Sequence, residues 1–315
     1  MRKIVIVGDG NIGSQVAYTL YLKNNVDELV IVDRNKEKSL GDVIDLEHGL
    51  SLVGDIKCVN GEYSDCKDAS LIIMTLSISS KALTNRTDLL EGNLHLFKEV
   101  LSQIKPYINE NTKFLIISNP CDVLAYFTMK FLNLNPNNVF SAGTVLDSSR
   151  FVYFLNQLDA TNSHTSKGMI IGEHGETSVP LYSEATIGEI PFYEYVDKNG
   201  EQIDTIDMQR YMNNSGFEIT QKKGSTNFAT AVAVNKIVEN LLNGKEDVLP
   251  MSVYMKDSPY FAGEYFMSLP VKYVDNKVIF TEFGFDEKEK EFLNKSKASL
   301  IGFCQICDKF IAENK

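Results

Sequence analysis

Lys3-Ile4-Val5-Ile6-Val7-Gly8-Asp9-Gly10-Asn11-Ile12-Gly13 begins with a short apolar run, passes through a turn holding three glycines, and leads into a helical pattern through Val16, Ala17, Leu20 and Tyr21. This is strand, glycine turn, helix. In such a unit the first glycine permits the tight turn and the second lets the backbone approach a pyrophosphate. The third lets helix and strand pack closely, with the helix N-terminus facing the anion. A bare Gly-x-Gly-x-x-Gly is weak evidence, but here a second apolar run, Leu29 to Val32, ends in Asp33, 20 residues beyond Gly13. That is where a dinucleotide fold places the acid that binds the adenosine ribose hydroxyls. Asp33 repels a 2′-phosphate and so favours NAD over NADP. Arg34 beside it pulls the other way, since an arginine there can reach such a phosphate, although it also reads as an exposed loop residue.

Further apolar strand candidates recur at 56–59, 71–75, 113–118 and 138–141, with amphipathic helical patterns between most of them, for example Leu89 to Ile104 and Val123 to Phe131. Alternation of this kind predicts an α/β fold, a doubly wound parallel sheet with helices on both faces. Ligands on such sheets sit beyond the carboxyl ends of the strands, where Gly8, Asp33, Thr75, Asn119 and Ala142 fall. After about residue 145 the pattern is mixed. Helical runs at 147–158 and 207–221 alternate with strand candidates at 169–172, 251–255, 267–274 and 277–280, the last two joined across Asp275-Asn276 as a hairpin. Asp286 followed by Glu289 predicts an N-capped helix from 286 to 311. The expected division is a dinucleotide-binding domain over 1–143 and an α+β substrate domain over 144–315.

Length and composition fit this plan. The chain has 315 residues, 43% of them hydrophobic, enough for one large or two intimately packed domains. With 31 basic against 42 acidic residues the net charge is −11, which argues against a nucleic-acid or anionic-membrane surface. No run approaches the roughly 18 to 20 apolar residues that span a bilayer, and Met1-Arg2-Lys3 leads straight into the first strand, so a cytoplasmic location is expected. The five cysteines, Cys58, Cys66, Cys121, Cys304 and Cys307, are too few and scattered for a disulfide framework. Cys304 and Cys307 form a C-x-x-C, yet Leu293, Leu300, Phe303 and Ile311 recur around them at helical spacing, which makes them core-facing residues of a terminal helix. No second such pair or histidine cluster completes a zinc site, so no metal is expected.

The chemistry concentrates in two segments. Ile170 to Pro180 holds His174 between two glycines, one of four histidines in the chain, and Leu146 to Phe151 contains Asp147 and Arg150. A histidine exchanges protons near neutral pH, a carboxylate fixes its tautomer, and an arginine clamps a carboxylate with two parallel hydrogen bonds. Those are the tools of 2-hydroxy acid chemistry, although a Glu-His pair flanked by glycines also occurs as a plain strand end.

These motifs, in this order and spacing, resemble the L-lactate and malate dehydrogenase superfamily along nearly the whole chain. The matching segments are Ile4 to Gly13, Ile31 to Asp33, Gly41 to His48, Ser118-Asn119-Pro120, Leu146 to Phe151, Gly172 to Gly175 and Lys223 to Thr226. The resemblance implies NAD as cofactor, bound by Gly8, Gly10, Asn11, Ile12, Gly13, Asp33, Thr75 and Asn119. It implies that His174 exchanges a proton with the substrate oxygen, that Asp147 holds the other ring nitrogen, and that Arg150 grips the substrate carboxylate, a role a lysine would fill poorly. Asn119 would orient the carbonyl and face the nicotinamide ribose, and Thr226 would line the substrate pocket. Arg86 matches the arginine that a mobile loop closes over the substrate, polarising the carbonyl as water is excluded. His48 reads as structural. A homodimer or homotetramer is expected, acting on a small 2-oxo or 2-hydroxy acid.

Four departures stand out. At the loop position six residues before Arg86, lactate enzymes carry Gln and malate enzymes Arg, but this chain has Ser80. A dicarboxylate there would carry an unpaired charge into a closing pocket at a cost on the order of several kcal/mol, so pyruvate or a longer 2-oxo acid is expected instead of oxaloacetate. Loop residues 76–85 lack the family's usual Gly and Pro. Thr230 replaces an apolar residue that packs on the nicotinamide. Val152 and Lys167 occupy the positions where activated relatives hold fructose 1,6-bisphosphate with Arg and His, so ordinary activation by that effector is not expected. The rivals are a broad hydroxyisocaproate-type dehydrogenase, a metal-dependent glycoside hydrolase on the same NAD-binding architecture, and a catalytically idle NAD-binding protein.

Overall fold

The computed structural model describes residues 2–78, 86–159, 164–199 and 205–314, with only the backbone given for 86, 87, 205–207, 209, 210 and 213. Strands β1 (Lys3–Val7), β2 (Glu28–Val32), β3 (Lys57–Asn60), β4 (Leu71–Met74), β5 (Lys113–Ile116) and β6 (Val139–Ser141) pair in parallel in the spatial order β3-β2-β1-β4-β5-β6. Strand order reverses between β1 and β4, and the crevice at that switch point is where open α/β sheets bind ligands. β1 and β4 are buried along almost their whole length, which is why they read as unbroken Val and Ile runs instead of alternating.

The crossover helices are α1 (Asn11–Lys23), α2 (Lys36–His48), the single turn α3 (Leu50–Val53), α4 (Arg86–Ile104) and α5 (Cys121–Leu132). Helix α6 (Val145–Leu158) leads into the second half, which holds the two-residue strands β7 (Ile170–Ile171), β8 (Val179–Pro180), β9 (Thr186–Ile187) and β10 (Ile190–Pro191) and the helices α7 (Phe192–Asn199), α8 (Thr205–Lys223) and α9 (Asn227–Leu242). Strands β11 (Ser252–Tyr254), β12 (Phe266–Ser268), β13 (Val271–Val274) and β14 (Lys277–Phe280) precede the terminal helix α10 (Glu287–Glu313).

Two features of the second half go beyond the sequence reading. β11 and β12 join the main sheet: β11 pairs antiparallel with β6 and β12 with β11, which gives it eight strands among the described residues. The run 267–274 is not one strand. It breaks at Leu269-Pro270 into β12 and β13, because a proline nitrogen cannot donate to a ladder. The hairpin β13–β14 does form, with Asp275 and Asn276 at φ of 50° and 60°, the left-handed pair that a tight two-residue turn requires. Asp286 caps α10 by accepting from the Glu289 N–H at 2.8 Å, while Glu289 accepts from the Asp286 N–H at 2.8 Å. Cys304 and Cys307 lie buried on that helix. Helix α9 packs along α1, and α10 along α5.

Candidate active site

The glycine turn is shaped by contacts that no side chain would survive. Gly8 has φ of +107°, donates its N–H to Val32 O at 2.8 Å and accepts from the Thr75 hydroxyl at 2.7 Å. A Cβ on Gly13 would stand 1.9 Å from Gly8 O, so the start of α1 lies directly against the end of β1. Gly10, with nothing within 4 Å of an added Cβ, faces open space in front of the first turn of α1. Asp33, at the end of β2, accepts from the Asp9 N–H at 2.6 Å and the Asn35 N–H at 2.7 Å. A glycine-formed approach to a helix N-terminus with a fixed carboxylate beside it fits a dinucleotide. Arg34 is exposed, and His48 closes α2 at the surface.

Beyond β5 the chain enters a cis peptide at Asn119-Pro120 and begins α5. Asn93, fully buried on α4, donates to Asn119 O at 2.7 Å and accepts from the Ile78 N–H at 2.9 Å, joining the segment after β4 to that turn.

A cavity of about 510 Å³ opens here, and Ile12, Asn119, Asp147, Arg150, His174 and Thr226 all line it. The first turn of α6 supplies Asp147 and the next turn Arg150, which puts both on one helix face. The Asp147 carboxylate is shared. Its Oδ2 lies 2.6 Å from His174 Nδ1, and its Oδ1 accepts from Arg150 Nη1 at 2.9 Å. Burial alone would raise the Asp147 pKa, but the His174 and Arg150 charges outweigh it and hold the carboxyl below its ordinary range. For His174 burial opposes the imidazolium, yet Asp147, by charge and hydrogen bond, and then Asp122 raise the ring's pKa above its ordinary 6.5.

Asp122 is a residue that sequence reasoning passed over. Fully buried in the first turn of α5, it accepts from the His174 backbone N–H at 2.8 Å and from the Ser141 hydroxyl at 2.9 Å, fixing the histidine segment to α5 and β6. Its only signal in the sequence is an acid two residues after Pro120. Helix α8, expected as a helical run over 207–221 but given no place in the site, lines the cavity with Met212, Gly216, Phe217 and Thr220. A Cβ on Gly216 would lie 3.7 Å from Arg150 Nη2, so this helix runs close past the guanidinium.

Thr226 is the N-cap of α9, and the Thr230 hydroxyl, one turn on, donates back to its carbonyl. Arg86 is the first residue of α4, and its side chain lies outside the described residues, as does Ser80. Val152 sits on α6, while Lys167 is exposed and bridges to Thr186 by backbone. Among the described residues no three His, Cys, Asp or Glu side chains gather as a metal site.

Residues 2–141 match the lactate/malate dehydrogenase NAD-binding domain, and residues 144–305 match the α/β C-terminal domain of the same enzymes. The L-lactate dehydrogenase of Acetivibrio thermocellus is 34% identical over 315 residues, covering 98% of each chain. That of Thermoanaerobacterium saccharolyticum is 37% identical over 276 residues, covering 86% of this chain and 87% of the other. Among solved structures, the minor L-lactate dehydrogenase of Enterococcus mundtii superposes with a TM-score of 0.89 at 29% identity, covering 97% of this chain and 98% of that one. Both halves of the sequence and the whole of the fold agree, and the chain belongs to the lactate/malate dehydrogenase family.

Proposed function

We propose that the protein is an NAD-dependent L-lactate dehydrogenase, reversibly reducing a 2-oxo acid, with pyruvate favoured, to the L-2-hydroxy acid. The observation that carries this reading is the Asp147 carboxylate shared between His174 and Arg150 in one cavity. NADH, when bound, supplies the hydride that reaches C2 of the 2-oxo acid. Gly8, Gly10, Asn11, Ile12 and Gly13 would face its pyrophosphate, with Asp33 on the adenosine ribose and Thr75 and Asn119 toward the nicotinamide end.

The rest is the work of side chains. Arg150 holds the substrate carboxylate, which orients C2, and Asn119 and Arg86 direct and polarise the carbonyl. His174, protonated and held by Asp147 through Nδ1, releases a proton from Nε2 to the oxygen as it becomes an alkoxide, and takes it back in the reverse direction. Asp147 stays ionised throughout and favours the imidazolium that the reduction consumes. Thr226 lines the pocket, and Ser80 offers no cation for a second carboxylate.

NADH oxidation by the purified protein with pyruvate, 2-oxobutyrate, 2-oxoisocaproate, phenylpyruvate and oxaloacetate tests the reading. The highest kcat/KM is expected with pyruvate, and a preference for oxaloacetate or no turnover with any of them would overturn it. Fructose 1,6-bisphosphate is expected to leave the pyruvate half-saturation unchanged.

The cofactor unit is proposed to span 1–143 and the substrate unit 144–315. Among the described residues no helix is long and apolar enough to cross a membrane, in keeping with the proposed cytoplasmic location. A homodimer or homotetramer is supported by Tyr18 and Leu22 on α1 and Phe228 and Val232 on the adjoining α9, large apolar side chains each about half exposed or more. Light scattering giving a monomer mass would remove that part of the proposal.

A further inference from the structure

Asp9 stands between the first two glycines of the turn, its side chain wholly buried. A carboxylate is the wrong sign for a turn that receives a pyrophosphate on the positive end of a helix. Three charged groups face it. Lys38, on the first turn of α2, brings its Nζ within 2.8 Å of Asp9 Oδ2 and within 2.6 Å of Asp42 Oδ2, and the Asp33 carboxylate accepts the Asp9 backbone N–H at 2.6 Å. Asp9 Oδ1 is buried without a hydrogen-bond partner among the described residues, so Lys38 is the single cation compensating this acid there. Burial pushes the Asp9 carboxyl up to about 6, against the pull of Lys38 and with some help from Asp42.

We propose that Lys38 is a positioning residue for the dinucleotide: its ammonium neutralises the Asp9 carboxylate inside the glycine turn, so that the turn can accept a pyrophosphate while Asp9 keeps Asp33 aimed at the ribose. This rests on the reading that the turn binds NAD. Without Lys38, an ionised Asp9 repels the incoming phosphates at short range through protein, where charge interactions are weakly screened. Lys38 itself need not touch the cofactor.

The test is calorimetric titration of the whole protein with NADH, wild type first; failure of the wild type to bind would sink the underlying reading and not only this one. Lys38→Met should weaken NADH binding about tenfold or more at pH 8. The loss should shrink as the pH is lowered, beginning above pH 6, because without the pull of Lys38 the Asp9 carboxyl takes up its proton at a higher pH than in the wild type. Lys38→Arg, which keeps the charge, should bind within about threefold of wild type. In the Asp9→Asn background Lys38→Met should be nearly silent and its effect independent of pH, and this comparison stands even if Lys38→Met alone is too unstable to titrate. Equal weakening by Lys38→Met in both backgrounds would mean that the lysine meets the cofactor directly, and no weakening in either would mean that the ion pair is irrelevant to binding. Both results overturn the proposal.

Discussion

Asp147→Asn separates charge from shape at the centre of the site. The substitution keeps the volume and one oxygen for His174 Nδ1, but removes the negative charge that the ring and Arg150 share at 2.6 and 2.9 Å. A hydrogen bond to a charged group contributes roughly 1.5–3 kcal/mol, about twice a neutral one. Reduction of the 2-oxo acid needs the imidazolium, so above the ring's pKa this stabilisation sets the protonated fraction of the enzyme. Asn retains a neutral bond, about half of the stabilisation is lost, and kcat/KM there should fall about 4- to 13-fold. The direction of the pH effect follows from the same contact. Asp147 raises the His174 pKa, the protonated ring is lost as the pH rises through that value, and without the charge the loss comes at lower pH. Steady-state kcat/KM for pyruvate from pH 5.5 to 9 should therefore show the alkaline limb displaced toward acid. A variant whose limb stays where the wild type has it would refute the reasoning, whatever its rate.

Asp122→Asn should remain folded, since one amide oxygen can still accept the His174 N–H, and should move the same limb in the same direction by less, because Asp122 ranks below Asp147 among the groups raising the ring's pKa. A larger displacement than that of Asp147→Asn would reverse the ranking. Gly13→Ala forces a Cβ to within 1.9 Å of Gly8 O, and denaturant midpoints should report a loss of about 1–3 kcal/mol together with weaker NADH binding. Unchanged values for both would mean that the turn is looser than its geometry implies. The native protein should resist a thiol reagent at pH 7 and expose five reactive thiols only on denaturation: all five cysteines are buried, and burial pushes the Cys58 thiol up to about 11 and Cys66 to about 12. Labelling of the folded protein within minutes would contradict that.

What could be read in the sequence was local chemistry. Gly8, Gly13 and Asp33 announce themselves because a backbone geometry and a cofactor each demand a residue type at a fixed spacing, and Asp275-Asn276 and the Asp286–Glu289 pair do so because turn and cap need particular side chains. Helix α9 was hidden for the opposite reason. Ala231, Val234, Ile237, Val238 and Leu241 do recur at helical spacing, but Phe228 and Val232 make the exposed face apolar as well, and that blurs the contrast by which an amphipathic helix is recognised. Asp122 and Asn93 look like ordinary helix residues, and their partners His174 and Asn119 lie 52 and 26 positions away. The pairing of β11 with β6 is a choice among exposed edges that neither strand's own sequence records.

That choice bears on how the molecule comes apart. β11 covers the edge of β6, α9 covers α1 and α10 covers α5, so the later half of the chain is stitched into the earlier one at three places. A fragment ending near residue 143 would be left with a bare strand edge and two uncovered helix faces, the signature of an aggregating product. A chimera joined there with a relative's second half would have to match three seams at once. Melting should accordingly be a single event, although each half is recognisable by its own motifs.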